Sequence, residues 1–237
     1  MTNAGTTRII IGIIGNVISF FLFLSPMPTI IKIIRAKAVE KYKADPYLAT
    51  MLNCAMWVFY GLPFVHPDST LVITINGIGF VIETCYVIVF FIYSDWRKRR
   101  KILLLLLVEA IFVAIIVIIA MKVFSTTKDR SMLVGIVCVA FNIVMYAAPL
   151  TVIKRVIQTK SVKYMPFLLS VANFANGVIW LVYAILKFDI YILIPNGLGA
   201  LSGVIQLILH AMYYRTTDWN QESERRQEIE VSSREVP

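Results

Sequence analysis

Long apolar runs dominate the chain, and short polar connections separate them. A helix needs about 20 residues to cross the hydrocarbon core of a bilayer. Seven runs reach that length: 9–34, 46–65, 70–93, 102–124, 132–155, 164–187 and 190–214. The pattern therefore predicts an all-α integral membrane protein with seven transmembrane helices.

The second half of the chain repeats the order of distinctive residues found in the first half. The recurring residues are Pro26, Lys37, Trp57, Tyr60 and Asn76 in the first copy, and Pro149, Lys160, Trp180, Tyr183 and Asn196 in the second. The offset is 123 residues for the first four pairs and 120 for the asparagines. A duplicated apolar unit is typical of transporters whose site lies between two repeats.

The repeat predicts how the chain is divided. Runs one to three correspond to runs five to seven, and the fourth run has no counterpart. Because each copy has an odd number of spans, one extra crossing gives both copies the same orientation. We expect a first three-helix repeat at 8–101, a linker helix at 102–124, a second repeat at 132–215 and a polar, disordered tail at 216–237.

Composition and charge fit this membrane architecture. The chain is 59% hydrophobic and 16% charged, whereas a soluble domain carries about a quarter charged residues. The net charge of +9 does not indicate nucleic-acid binding, because the basic residues cluster between apolar runs. Eighteen of the 23 Lys and Arg residues fall on one side. The positive-inside rule then predicts an extracellular or lumenal N-terminus and a cytosolic C-terminus.

Two matched asparagines are the leading candidates for a binding site. Asn76 and Asn196 each lie in an apolar run and precede Gly-x-Gly. A buried amide offers two donors and one acceptor, which suits a neutral polyhydroxylated solute. The alternative is a hydrogen bond between helices, a common use of Asn in membranes; the matched pair favours the binding site.

A second matched pair combines an amide with an aromatic ring. Asn53 and Trp57, like Asn176 and Trp180, are four residues apart and so share a helix face. Aromatic rings stack on the C–H face of a sugar while amides bind its hydroxyls. Anchoring at the membrane interface is the usual alternative for tryptophan.

Prolines and tyrosines are candidates for hinges and gates. Pro26 and Pro149 lie within apolar runs, where a proline removes a backbone hydrogen bond and kinks the helix. A hinge or a static kink would both explain them, and duplication favours the hinge. Tyr60, Tyr183 and Asp189 lie near the ends of their spans on the side away from these prolines. A tyrosine hydroxyl there could donate to the carboxylate and hold that side of the protein closed. The alternative is that Asp189 is a solvated loop residue and the tyrosines lie at the membrane interface.

Other reactive side chains are not duplicated. Glu83, Glu109 and His210 are ionisable groups within apolar runs, so each is a functional candidate by default, but the absence of matched partners favours structural roles. The three cysteines lie within apolar runs and predict no disulfide. No cofactor and no metal site is expected.

Together these motifs resemble the SWEET (MtN3/saliva) family of sugar uniporters, in a plant-type member. The resemblance covers roughly residues 8–215 and rests on Ser25-Pro26-x-Pro28-Thr29, Leu52-Asn53-Cys54, Tyr60-Gly61-Leu62-Pro63, Thr74-Ile75-Asn76-Gly77, Ala148-Pro149-Leu150, Thr159-Lys160-Ser161, Met165-Pro166-Phe167, Trp180-x-x-Tyr183 and Ile194-Pro195-Asn196-Gly197.

The resemblance implies a 3+1+3 fold and passive alternating access without ion coupling. It implies a sugar held by Asn76, Asn196 and Trp180, and an outer gate formed by Tyr60 and Asp189. The cytosolic gate would be shaped by four prolines: Pro26, Pro46, Pro149 and Pro166. Homo-oligomers in the plasma or vacuolar membrane are expected, with the lipid bilayer and a small neutral sugar as partners.

The resemblance also bears on which sugar is carried. Disaccharide-selective members have small residues where this chain has Asn53 and Asn176, and Leu22 and Met145 are larger than the residues expected in such members. A tighter pocket favours a hexose, with glucose as the expected substrate. The predicted pocket also includes Cys54. One departure is Trp57, where many hexose-type members have a small residue.

Other seven-span proteins fit less well. A receptor is disfavoured by the internal repeat, and an ion channel by the lack of a carbonyl filter or charged ring. A retinal protein would need a lysine in the last span, and residues 190–214 contain none. The alternative that stays open is a proton-coupled symporter, or a PQ-loop-type exporter of a small neutral solute, using Glu83 or Asp189.

Overall fold

The computed structural model describes residues 2–219, with side chains from residue 5 onward. This part of the chain is helical and contains no strand. Its helices are α1 (Thr2–Leu24), α2 (Met27–Ala36), α3 (Asp45–Gly61), α4 (Thr70–Tyr93), α5 (Trp96–Lys122), α6 (Thr127–Met145), α7 (Ala147–Thr159), α8 (Phe167–Lys187) and α9 (Ile190–Tyr213).

These helices form the seven predicted spans, and two of the spans are broken. Six helical stretches are long and apolar enough to cross a membrane, namely α1 with α2, α6 with α7, and α4, α5, α8 and α9. The remaining span is α3, whose 17 residues lie at the short end of the range for a membrane helix. The predicted all-α, seven-span fold is confirmed.

The breaks fall at or next to the duplicated prolines. Pro26 separates α1 from α2, and Pro149 is the third residue of α7, which begins after Tyr146. A proline has no N–H to donate to the carbonyl four residues earlier. The carbonyls of Leu22 and Met145 therefore lack their usual N–H donor, and the helical hydrogen bonding is interrupted one turn before each proline. At the first break the Ser25 N–H donates to the Leu22 carbonyl over 3.0 Å instead.

Some helix ends differ from the sequence prediction. Predicted run 46–65 ends as a helix at Gly61, because the next residues form turns that contain Pro63 and Pro67. The linker helix α5 begins at Trp96, six residues before the predicted 102, because Asp95 caps it by accepting a hydrogen bond from the Lys98 N–H over 3.0 Å.

The two repeats pack face to face. Within the repeats α3 packs on α4 and α8 packs on α9, while α1 packs on α8 and α3 packs on α6 across the repeats. The residues buried between the repeats include Met56, Tyr60, Val134, Cys138 and Ala184. The linker helix α5 packs on α3, α4 and α6, and its other side exposes a row of Leu and Ile, as expected for a surface that faces lipid.

We name the two ends of the bundle by their residues. The sealed face is the end that holds loop 62–69 and Asp189, and the basic face is the end that holds loops 37–44 and 160–166. The first residues of the predicted tail, 216–219, lie at the basic face. They are ordered, since the Thr217 hydroxyl accepts a hydrogen bond from the Val162 N–H over 2.9 Å. Residues 220–237, where disorder was predicted, lie outside the described residues.

Candidate functional site

A cavity of about 380 Å³ lies between the two repeats. Its lining is assembled from α1, α3, α4, α6, α8 and α9, so neither repeat forms it alone. The lining residues are Ser19, Leu22, Phe23, Pro26, Thr50, Asn53, Trp57, Val72, Ile75, Asn76, Glu83, Asn142, Asn176, Trp180, Ile192 and Asn196. The four asparagines and two tryptophans singled out from the sequence therefore line one cavity.

Asn76 and Asn196 are held in the same way on opposite sides. The Asn76 side-chain N–H₂ donates to the Val72 carbonyl over 2.9 Å, and that of Asn196 donates to the Ile192 carbonyl over 2.8 Å. Each side-chain amide donates one N–H to its own helix. One N–H and the carbonyl oxygen of each amide therefore remain available to a ligand. This arrangement fixes the direction of both amides.

The two tryptophans are matched as well. The Trp57 ring meets Tyr60 edge-on with ring centroids 5.3 Å apart, and Trp180 meets Tyr183 edge-on at 5.1 Å. Both indoles are buried within the protein, so neither is an anchor at the membrane interface. They place two aromatic surfaces beside the amides.

Asn53 and Asn176 connect the repeats. The Ser19 hydroxyl donates to the Asn176 carbonyl oxygen over 2.6 Å, and the Asn142 N–H₂ donates to the Asn53 carbonyl oxygen over 3.2 Å. Both bonds join the first helix of one repeat to the second helix of the other. Trp180 adds to the first bond by donating its indole N–H to Ser19 over 3.0 Å. These asparagines thus form interhelical bonds and also line the cavity.

Ser19 and Asn142 were not identified from the sequence. They are 123 residues apart, the same offset as the tryptophans, but their side chains differ and an identity search between the copies misses them. A search for polar residues at matched positions in apolar runs would have found both.

The second glycine of each Asn-Gly-x-Gly motif packs against an aromatic ring. A Cβ added at Gly79 would collide with the Phe23 ring, and one at Gly199 would lie 2.7 Å from the Tyr146 hydroxyl. These glycines bring the broken helices close to α4 and α9. The first glycine, Gly77, has open space around it.

Two predicted pocket residues lie outside the cavity lining. Cys54 follows Asn53 directly and is therefore rotated by about 100° around α3, where it is buried. Met145 is the last residue of α6, just before the break that redirects the chain. Its repeat-related partner Leu22 does line the cavity, so the two positions are not equivalent in this structure.

At the sealed face, Tyr60 and Asp189 join the repeats as the sequence suggested. The Tyr60 hydroxyl lies 2.9 Å from both Asp189 carboxylate oxygens, and Asp189 is only 4% exposed. The same carboxylate caps α9 by accepting hydrogen bonds from the Tyr191 and Ile192 N–H groups at 3.0 and 3.2 Å. A buried carboxylate with this many donors is firmly held.

His66 completes this contact and was not predicted. Its Nε2 lies 3.2 Å from an Asp189 oxygen, and its Nδ1 lies 3.0 Å from the Ser131 hydroxyl oxygen. Its ring also stacks on Tyr60 with centroids 4.7 Å apart. Burial lowers the pKa of the His66 imidazole, and the Asp189 carboxylate opposes that shift. His66 has no counterpart in the second repeat, so duplication gave no signal.

Tyr183 takes part in a second contact at the same face. The Arg8 guanidinium lies 4.1 Å above its ring, and Arg8 also donates to the Asp68 carbonyl over 2.8 Å. The Asp68 side chain pairs with Lys187 at 2.6 Å, and this ammonium lowers the pKa of the Asp68 carboxyl. The Tyr183 ring therefore contacts the Arg8 cation. Of the two tyrosines, it is Tyr60 that donates to the Asp189 carboxylate.

The basic face has the four predicted prolines and a different pattern of contacts. Pro26 lines the cavity, Pro46 lies in the first turn of α3, and Pro166 directly precedes α8. Pro149 is within α7 and outside the lining. The short helices pack within their own repeat, α2 on α4 and α7 on α9. The hydrogen bonds of loops 37–44 and 160–166 also stay within one repeat.

The unduplicated ionisable residues separate into two groups. Glu83 lines the cavity and is 4% exposed. Glu109 lies on α5 and His210 stacks on Phe167 with ring centroids 5.0 Å apart; neither lines the cavity. Within the described residues no group of three His, Cys, Asp or Glu side chains could hold a metal ion.

Comparison with known proteins gives consistent matches. The family model described as "Sugar efflux transporter for intercellular exchange" matches this chain twice, at residues 9–98 and 132–218. Two similar relatives are the bidirectional sugar transporters SWEET5 and SWEET4 of Arabidopsis thaliana. SWEET5 is 59% identical over 94% of this chain and 93% of its own length, and SWEET4 is 58% identical over 92% and 86%.

A solved structure gives the same result for the fold. The 3.7 Å structure of a eukaryotic SWEET transporter matches with a TM-score of 0.86 and 37% identity, and the match covers 90% of this chain and 99% of that one. The family-model matches leave residues 99–131, which include most of α5, unmatched.

Proposed function

This chain belongs to the SWEET family of membrane sugar transporters, and we propose that it is a facilitative, bidirectional uniporter for hexoses, with glucose as its principal substrate. Its relatives are transporters rather than enzymes. The finer proposal rests on the cavity, where paired amides and paired indoles provide polar groups for hydroxyls and flat surfaces for a sugar ring.

The observation that carries the mechanism is the uneven distribution of bonds between the repeats. At the sealed face the bonds Tyr60–Asp189, Lys187–Asp68 and Ser131 to the Val65 carbonyl all cross from one repeat to the other. At the basic face, the hydrogen bonds of loops 37–44 and 160–166 stay within one repeat. This difference supports alternating access with the protein in a state that is closed on one side only.

The charge distribution supports an orientation. The basic face carries most of the Lys and Arg residues, and positive connections stay on the cytosolic side. In this proposal the sealed face is extracellular or lumenal, the C-terminus is cytosolic, and the structure corresponds to an inward-facing state. The membrane is the plasma membrane or the vacuolar membrane.

The sugar would bind between Asn76 and Asn196, with the ring against Trp57 and Trp180. Asn53 and Asn176 narrow the cavity and are held across the repeats, so the space suits one hexose better than a disaccharide. The proposed division keeps the predicted repeats near 8–101 and 132–215, except that the linker predicted at 102–124 begins at Trp96. Assembly as a homo-oligomer is part of the proposal, and the exposed apolar side of α5 offers surface for it.

The test is flux of radiolabelled glucose into liposomes that contain the purified chain, with and without an imposed pH gradient. We expect flux that stops at equal concentrations, ignores the gradient and is abolished by Asn196→Ala. Asn173→Ala is the matched control, because Asn173 is an exposed asparagine on α8 outside the cavity lining.

Other outcomes would contradict the proposal in different ways. Accumulation of glucose driven by the pH gradient would replace uniport with proton-coupled symport or PQ-loop-type export. Normal flux in correctly inserted Asn196→Ala protein would remove the assigned site. Flux of sucrose but not of hexoses would remove the assigned substrate while leaving the family intact.

A further inference from the structure

The cavity contains one carboxyl group, and it belongs to the first repeat only. Glu83 is on α4, and the matched position on α9 is Gly203. In the second repeat no side chain fits there, because a Cβ added at Gly203 would lie 2.8 Å from the Phe174 Cα. The two halves of the binding cavity therefore differ chemically at this point.

One oxygen of the Glu83 carboxyl lacks a hydrogen-bond partner among the described residues. Glu83 is 4% exposed, and this buried atom is Oε2. None of the ion pairs in the described part of the chain includes it. An unpaired buried carboxyl is costly, and a purely structural one is normally hydrogen-bonded. A ligand in the cavity would supply the missing donors.

The position of Glu83 fits the far end of a sugar. It follows Asn76 by seven residues, two helical turns, so both lie on one face of α4 about 10 Å apart. A hexose spans roughly 6 Å, as judged from bonds of about 1.5 Å, and each hydrogen bond adds about 2.8 Å. One hexose can therefore reach from the Asn76 amide to the Glu83 carboxyl.

We propose that Glu83 is a specificity-determining residue whose carboxyl accepts hydrogen bonds from the hydroxyls at the end of the sugar that faces the basic side. This inference rests on the proposed function and deepens it. Carboxyl oxygens can accept from two neighbouring hydroxyls at once, so a solute without hydroxyls at that end binds less tightly. Because the second repeat has no such group, the sugar has a preferred direction in the cavity.

The experiment compares Glu83→Ala and Glu83→Gln with wild type in glucose-loaded vesicles. Glu83→Ala is expected to raise the KM for glucose about ten- to a hundredfold, because a sugar hydroxyl would be left without its partner in a buried site. Glu83→Gln has the same shape and keeps one acceptor, so a smaller rise is expected. Glu109→Gln is the matched control, because Glu109 is an intramembrane glutamate outside the cavity.

A series of monodeoxyglucoses separates recognition from folding. In wild type, at least one analogue should have a KM about tenfold or more above that of glucose, because it lacks the hydroxyl that Glu83 holds. In Glu83→Ala that particular penalty should disappear, since the partner group is already gone. A general loss of stability would leave the relative order of the analogues unchanged.

Each result decides a different point. If the wild type carries glucose, Asn196→Ala abolishes flux, and Glu83→Ala leaves both the KM and the analogue order unchanged, then this inference is wrong and the proposed function stands. If the wild type carries no hexose, the proposed function itself fails. If Glu83→Ala does not fold, as judged by size-exclusion chromatography in detergent, Glu83→Gln carries the same analogue test.

Discussion

Removing one hydroxyl at the sealed face should shift the protein toward its other state. Tyr60→Phe keeps the ring, its stacking on His66 and its contact with Trp57. It removes the only hydrogen-bond donor that the Tyr60 side chain gives to Asp189, a bond that joins the two repeats. The change therefore weakens closure of this face and leaves the packing of the core in place.

The magnitude follows from the bonding of Asp189. A hydrogen bond to a charged group contributes about 1.5–3 kcal/mol. The lower half of that range applies here, because His66 and the N–H groups of Tyr191 and Ile192 still contact the carboxylate. A loss of about 1.5–2 kcal/mol raises the ratio of open to closed sealed face about ten- to thirtyfold.

The assay measures access to a buried position at this face. Val65 is fully buried beside the Ser131 bond, so a Val65→Cys thiol reacts with a membrane-impermeant reagent only when the face opens. All three native cysteines are first replaced by alanine. If opening is fast compared with labelling, the labelling rate follows the open population, and Tyr60→Phe should label about ten- to thirtyfold faster.

Tyr183→Phe is the matched control at the repeat-related position. Its ring, on which Arg8 lies, is retained, and its hydroxyl makes no hydrogen bond to the described residues. Its labelling rate should equal that of the parent. Equal rates for Tyr60→Phe and Tyr183→Phe, in protein that still transports sugar, would refute the assignment of the Tyr60–Asp189 bond as a restraint on opening.

Two further predictions concern the helices around the cavity. Gly177→Ala should destabilise the protein by about 1–3 kcal/mol, because its Cβ would lie 2.7 Å from the Ala200 backbone nitrogen. The control is Gly77→Ala, which has open space around it and should not lower the midpoint of thermal unfolding in detergent. Equal midpoints for the two variants would contradict this packing argument. Pro149→Ala should slow sugar exchange more than it weakens equilibrium sugar binding, because it restores a hydrogen bond near the break between α6 and α7, and an equal loss of both would count against a hinge.

Much of the fold could be predicted because the same residues recur at matching positions in the two halves of the sequence. A single proline or asparagine in an apolar run has several explanations. Pro26 with Pro149 and Asn76 with Asn196 gave the positions of both helix breaks and of two cavity residues. The length of the apolar runs, set by the thickness of the bilayer, gave the number of spans.

The remaining features depend on contacts between the repeats, which periodicity within one run does not encode. His66 lies in a loop, and its contact with Asp189 depends on how α3 and α9 meet. Glu83 was favoured as a structural residue because it is unduplicated, yet it lines the cavity and its Oε2 has no hydrogen-bond partner among the described residues. Duplication identifies what the halves share and gives no information about where they differ.

The bonds Ser19–Asn176 and Asn142–Asn53 sit between the two ends of the molecule and link the repeats crosswise. Bonds in this central position can persist while first one end of the protein opens and then the other. The repeats would then rotate about these bonds, and a small rotation would move the ends of the helices far apart. Helix α2 has ten residues, a length of about 15 Å. A rotation of about 15°, a size known for subunit rotations, moves the end of such a segment by about 4 Å. Two segments moving apart would open a passage wide enough for a hexose while the centre of the protein stays packed.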